Sequence, residues 1–261
     1  MDTFRAAMYL CPVHMMLVSA HLVAEVHQHT VIQFTCSLDG DPFSVWTEND
    51  GWKETAAVLI NSNVPHSLKD FKGWQLTACV MPDVRKGKTV QEQLLNEGAV
   101  RYFTKDEIAP LLDELQELRH QKLERYEQFQ SRVNFIYNTL LGNLPTEPPL
   151  DERIATALIR IREGINESVS AASLASAVYL SEHRFLHLFK EQMGVPLRQY
   201  VLWQRLAAGT RAFIEGKSSK EAAYEAGFSD PAHFSRTFAQ MFGAQPSSYA
   251  AFKSQFYMVV F

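Results

Sequence analysis

Between His14 and Val80 the apolar residues fall into short runs, HMMLVSAHLV, TVIQFTCS, FSVW, AAVLI and WQLTACV. Turn formers separate them: Asp39-Gly40, Asn49-Asp50-Gly51, Asn61-Ser62-Asn63 and Lys72-Gly73. Short β-rich runs punctuated in this way predict a small barrel or sandwich. After Thr104 the period lengthens. Asp106 and Glu107 suit a first helical turn, and Tyr126, Phe129, Val133, Ile136 and Leu140 then recur at spacings of 3, 4, 3 and 4, one apolar stripe on one helix. The stripe predicts packing against the chain's own barrel or, in part, the seam of a homodimer, since two heptads are too few to specify a coiled coil. The segment GNLPTEPPL (142–150) holds a glycine and three prolines, which ends the helix and makes a semi-rigid linker.

From Asp151 to about Ser248 the pattern is one of consecutive short helices. Ser218 with Glu221 forms a capping box that opens one of them, and Gly227 closes it. Asp230 caps the next, with Pro231 at the first helical position, where the missing N–H costs nothing. Phe234, Phe238 and Met241 or Phe242 make its apolar face, Gly243 stops it, and Ala232, His233, Ser235, Arg236, Ala239 and Gln240 are left outside. The same design appears 49 residues earlier, with Ser181, Phe185, Phe189, Gly194 and Tyr200 standing where Asp230, Phe234, Phe238, Gly243 and Tyr249 stand. This internal repeat predicts two helix-turn-helix units, at about 170–193 and 218–242, joined by a helix from Pro196 to about Glu215. The outer face of the earlier second helix offers Glu182, His183, Arg184, His187 and Lys190. Two such helices held rigidly suit duplex DNA, whose major-groove faces on one side lie about 34 Å apart.

The stretches GFSDPAHFSRTFAQMFGAQPSSY and LSEHRFLHLFKEQMGVPLRQYVLWQRL resemble the DNA-binding domain of the AraC/XylS family of bacterial transcription regulators. The resemblance covers about 100 residues and implies base contacts from His183, Leu186 and His187 in the first unit and Ala232, Ser235 and Arg236 in the second. It departs from the family's pattern at Ala222, usually isoleucine, at Ala239, usually basic, and after Tyr249, where no arginine follows. Gly209 also stands mid-helix where alanine is preferred, at about 1 kcal/mol of helix propensity. These departures imply modest affinity with a strong salt dependence.

VHQHTVIQFTCSLDG and NSNVPHSL resemble, more weakly, the two halves of a cupin barrel of the kind found in AraC-type sensor domains. The implied fold is α+β in two domains: a cupin-like barrel over residues 1–95, a helical dimerisation or packing segment over 96–141, the linker, and the DNA-binding domain over 151–261. His27 and His29 alternate as if in one strand, and His66 with Gln33 falls where cupins complete a metal site. Three histidines suit zinc, nickel or iron, with Gln33 a neutral and weaker ligand in place of the usual carboxylate. The alternative is that these are pocket residues that hold no metal, and an organic effector in the same cavity is compatible with that. Trp46, Trp52 and Trp74 are candidates to line it.

Composition changes this picture little. The chain has 261 residues, 46% of them hydrophobic, as in a globular protein. The net charge of −4 conceals an asymmetry, since residues 150–261 carry 12 Lys+Arg against 10 Asp+Glu and residues 1–149 carry 13 against 19. Cys11, Cys36 and Cys79 are widely spaced and form neither a disulfide framework nor a zinc ribbon. Pro12, His14 and His21 interrupt the apolar N-terminal stretch, and nothing approaches the roughly 18 apolar residues of a membrane helix. A bacterial cytoplasm and no membrane partner are expected. The terminal AFKSQFYMVVF is apolar enough to dock on either domain.

The reading is thus a ligand-responsive transcription regulator that is not an enzyme. It requires no cofactor, and a divalent zinc, nickel or iron ion is a candidate effector. Duplex DNA at two adjacent major grooves and a second copy of the chain are the expected partners, with RNA polymerase if it activates. The competing class is a metal-dependent cupin enzyme with an appended helical domain, which needs His27, His29 and His66 to leave open positions on an iron-like ion.

Overall fold

The computed structural model describes residues 5–11, 13–20, 24–96, 98–142, 150–164, 169–243, 245–249 and 256–261. Apart from Gly142 and Leu150, the predicted linker lies outside the described residues. Two sheets form the N-terminal half. The larger has seven strands in the order β10-β7-β4-β9-β2-β1-β11, with β1 (Ala6–Leu10), β2 (His14–Ala20), β4 (Ile32–Ser37), β7 (Ala57–Ile60), β9 (Trp74–Val80), β10 (Val100–Phe103) and β11 (Phe256–Val260). The smaller has the order β3-β8-β5-β6, with β3 (Ala24–His27), β5 (Phe43–Thr47), β6 (Gly51–Thr55) and β8 (His66–Lys69). All pairings are antiparallel except β1 with β11.

Period-2 alternation divides the large sheet between two cores. Val58 and Ile60 of β7 join Phe43, Val45, Leu68 and Phe71 in a cluster with the small sheet, while Ala57 and Leu59 join the large cluster shared with the helices. The predicted runs contain β2, β4, β5, β7 and β9. The remaining strands lie outside them, and several of these, such as β6 (GWKET) and β8 (HSLK), are polar.

Three helices and two short helical turns of the N-terminal half extend the large core. α1 (Arg85–Val90) continues into a π-helical turn at Gln91–Leu95, and α2 (Lys105–Leu115) opens on a capping box made by Thr104 and Glu107. The single long helix expected after Thr104 is in fact two. A 3₁₀ turn at Gln116–Arg119 follows α2, and α3 (Tyr126–Leu141) starts afresh after it. The reason is legible in the spacing, since the buried Leu118 and Leu123 are five apart, a step no single helical stripe accommodates. Phe129, Val133 and Ile136 of the stripe are buried in the chain's own core, Leu140 is partly buried against it, and Tyr126 is 41% exposed.

The C-terminal half has α4 (Glu152–Glu163), α5 (Ala171–Ala177), α6 (Glu182–Met193), α7 (Leu197–Ile214), α8 (Ser219–Glu225), α9 (Pro231–Phe242) and α10 (Pro246–Tyr249). α4, α5 and α6 share the large cluster with the barrel. The domain boundary is correspondingly less sharp than a linker suggests: β10 lies beyond residue 95 yet pairs in the large sheet, and the C-terminal tail returns as β11 to lie along β1. Trp203 in α7 donates from Nε1 to the Cys11 carbonyl at 2.6 Å. No helix among the described residues is long and apolar enough to cross a membrane.

Candidate DNA-reading faces and effector cavity

Local chemistry places both recognition helices. Ser170 accepts from the Ser173 N–H to start α5, and Ser181 from the Arg184 N–H to start α6. Ser218 and Glu221 form the reciprocal capping box of α8, and Asp230 accepts from the His233 N–H at 2.7 Å to start α9. Each cap satisfies a donor the helix itself leaves unpaired. Gly194 and Gly243 end the two recognition helices in the left-handed conformation.

On α6, Phe185 and Phe189 are fully buried, whereas Glu182, His183, Arg184, Leu186, His187 and Lys190 are exposed along one face. His187 Nδ1 lies 3.9 Å from Glu191, too far and too exposed to hold it. On α9, Phe234 and Phe238 are buried and Ala232, Arg236 and Gln240 are exposed, while Ser235 and Ala239 are partly covered. His233 departs from the others. Its ring stands edge-on to Phe228 at 5.2 Å and lines an open cleft of about 400 Å³ with Arg205 and Tyr224. Tyr179, in the turn before α6, is 97% exposed with a φ of 58°.

Gly209 acquires a specific reason. A methyl group there would approach Phe234 Cε2 at 2.8 Å and Ala226 Cβ at 3.2 Å. The mid-helix glycine therefore lets α7 lie against the aromatic core of the second unit.

In the barrel, His27 ends β3 and His29 lies in the connection to β4, because the chain crosses there from the small sheet to the large one. The two do not share a strand as the alternation suggested. They converge nonetheless with His66 at the start of β8, with ring centroids 4.3–5.7 Å apart and one ligand nitrogen from each within 4.8 Å of the others. The Nδ1 atoms of His27, His29 and His66 sit 2.7, 3.0 and 2.8 Å from the carbonyls of Glu25, Val31 and Val64. A carbonyl can only accept, so at His27 and His66 Nδ1 carries the proton and Nε2 a lone pair, whereas both ring nitrogens of His29 face acceptors, the Val31 carbonyl and Gln33 Oε1. His66 Nε2 is buried with no hydrogen-bond partner. Burial pushes all three imidazoles below their ordinary range, His66 to about 3, which favours their neutral form.

Gln33 stands behind His29. Its side-chain amide is 2.8 Å from His29 Nε2 and 3.0 Å from Thr35 Oγ1, which in turn meets Thr77 Oγ1 at 3.0 Å. It is the Gln33 Oε1 that faces His29 Nε2, while the Gln33 NH₂ donates to Thr35 Oγ1. The cavity beside the histidines measures about 40 Å³ and is lined by Met8, Met15, Leu17, Leu68, Thr77 and, from α9, Met241 and Phe242. None of the three candidate tryptophans lines it. Trp52 is half exposed under Lys69, and Trp74 packs against the large core. Sequence periodicity marked Met241 and Phe242 only as helix core and gave no sign of their second role.

The model of the helix-turn-helix domain family matches residues 174–251. The probable transcriptional regulator LumQ of Photobacterium leiognathi is 30% identical over 196 residues, 74% of this chain and 78% of LumQ. The arabinose operon regulatory protein of Escherichia coli K12 is 31% identical over 126 residues, 46% of this chain and 43% of that protein, so the chain matches under half of its length. The crystal structure of ToxT from Vibrio cholerae O395 aligns over 93% of this chain and 98% of its own, with 14% identity and a TM-score of 0.49.

Proposed function

The chain belongs to the AraC/XylS family of DNA-binding transcription regulators, and from that premise we propose that it reads two adjacent major grooves, one with each recognition helix, under the control of an effector in the barrel. The observation that carries this reading is the repeat itself: two capped helices, each with buried phenylalanines on one side and an open polar face on the other. Short side chains at Ala232 and Ser235 let the backbone of α9 approach base edges, while Arg236, His183 and His187 donate to guanine or phosphate. Leu186 offers an apolar contact to a thymine methyl. The working form is a homodimer, and RNA polymerase is the further partner if the protein activates.

The effector we infer is a divalent transition-metal ion of the zinc, nickel or iron class. A cavity of about 40 Å³ admits an ion or a water, whereas organic ligands occupy roughly 300–1,000 Å³. The three histidines fit an ion: neutral, fixed by their Nδ1 bonds as metal-binding histidines are, and with a buried Nε2 on His66 that nothing satisfies. When bound, such an ion supplies coordination to three imidazoles. With a neutral amide behind His29 instead of a carboxylate ligand, the arrangement suits sensing better than catalysis.

Selection of binding sites from random duplex DNA by the full-length protein tests the DNA reading. Two enriched boxes about one helical turn apart are expected. Arg236→Ala should relax preference at one box and His187→Ala at the other, each by about 1–3 kcal/mol. No enrichment, or one box insensitive to both substitutions, would sink the reading.

A further inference from the structure

Gly194 and Gly243 are repeat-equivalent, each ending its recognition helix at a φ of 75°. Both also press on the N-terminal domain. A methyl group on Gly194 would meet Val84 Cα at 2.7 Å, and one on Gly243 would overlap the His27 ring. The two anchors differ in chemistry. Val84 is a buried aliphatic residue that caps α1, and around it α6 shares the large core through Phe185 and Phe189. His27 is a member of the histidine cluster, and beside it Met241 and Phe242 close the same cavity. Phe234 and Phe238 lie in a cluster of their own, apart from the barrel.

We propose that the effector site controls the two readers unequally: occupancy of the histidine cluster re-seats the C-terminal turn of α9, while α6 stays fixed to the barrel. This rests on the metal reading of the cluster. Two nitrogens on one zinc ion at about 2.1 Å each stand at most about 4.2 Å apart, and the three ligand nitrogens here lie within 4.8 Å, so the set contracts onto an ion. His29 and His66 are buried in the barrel, whereas His27 is half-buried at the end of β3, where the register of β3 on β8 slips. His27 is thus the ligand with freedom to move. Its ring has no clearance from Gly243, so its movement shifts the turn that ends α9. Linkage makes the effect reciprocal: DNA held by α9 changes metal affinity by the same factor that metal changes DNA affinity.

The test uses full-length protein on a selected duplex carrying both boxes, the box read by α9 being the one whose preference Arg236→Ala relaxes. Zinc binding and protection of each box are measured with and without zinc chloride. The expected result is zinc binding, a change of about fivefold or more in affinity at the α9 box, and no change at the α6 box. His29→Ala should abolish the zinc response; His27→Ala should shift the α9 box even without zinc. Zinc bound with both boxes or neither responding overturns the unequal coupling and leaves the metal reading intact. If zinc does not bind, the metal reading fails, and His27→Ala decides the anchor: a shift confined to the α9 box upholds it, and no shift or an equal one overturns it.

Discussion

Phe185 and Phe189 of α6 lie in the same buried cluster as Tyr9, Phe34 and Phe129 of the N-terminal domain, whereas Phe234 and Phe238 of α9 lie in a separate small cluster with Leu206, Ala223, Ala226 and Phe228. The two units use one sequence design, yet the first is built into the core of the N-terminal domain and the second is nearly a satellite of it. What joins the satellite to the rest is α7, which contributes Trp203 and Tyr200 to one cluster and Leu206 to the other, and the end of α9. Local stability follows core membership, so the second unit is the one free to open on its own.

The largest effect that could break this comparison comes from truncating one phenylalanine in each unit. Phe189→Ala and Phe234→Ala should each cost about 3–5 kcal/mol, since both remove a fully buried ring. The difference lies in where the loss appears. In Phe234→Ala, hydrogen exchange should quicken in α8 and α9 while β2 and β9 keep their protection. In Phe189→Ala the strands should lose protection too. Equal spread in both variants would mean the clusters act as one core.

The second unit was legible in the sequence because its signals are local. Ser218, Glu221, Gly227, Asp230, Pro231 and Gly243 do what their spacing predicts. The convergence of His27, His29 and His66 was legible as well, although the strand argument used for it fails at His29. The non-local terms were hidden. Trp203 and Cys11 are 192 residues apart, and β11 pairs with β1 across almost the whole chain. Periodicity reports which face of an element is apolar and not which partner covers it, so the stripe on α3 did not show that Phe129, Val133 and Ile136 are buried in the chain's own core, and it leaves the dimer seam open at Tyr126. The role of Gln33 depended likewise on seeing its amide on His29.

A smaller effect sharpens the comparison within the satellite. Gly209→Ala gains about 1 kcal/mol of helix propensity but crowds the Phe234 ring, and overpacking costs about 1–3 kcal/mol. The net expectation is a loss of about 1 kcal/mol, read as faster exchange in α8 and α9 with the barrel unchanged. In a Phe234→Leu background the same substitution should be neutral or stabilising, and a double-mutant cycle isolates that coupling. A loss that persists with leucine would place the strain elsewhere than on the ring.

The smallest expected difference separates the two caps. Ser181 offers a neutral hydroxyl 3.4 Å from the Arg184 N–H, and Ser181→Ala should cost about 1 kcal/mol, seen at the first-turn amides of α6. Asp230 offers a carboxylate 2.7 Å from the His233 N–H, and that bond holds its pKa below the usual carboxylate range. A charged acceptor at a helix N-terminus bonds more strongly and also meets the helix dipole, so Asp230→Ala should open the first turn of α9 more than Ser181→Ala opens that of α6. The sign with pH follows from linkage. A carboxyl more acidic in the folded protein contributes its stabilisation in full above its unfolded pKa near 3.8 and loses it as pH falls through the folded value. The penalty of Asp230→Ala should therefore shrink below about pH 4, while that of Ser181→Ala stays level. Amide exchange at His233 and Arg184, followed from neutral pH downward, checks both, and a level Asp230→Ala penalty would show that the cap acts through geometry alone.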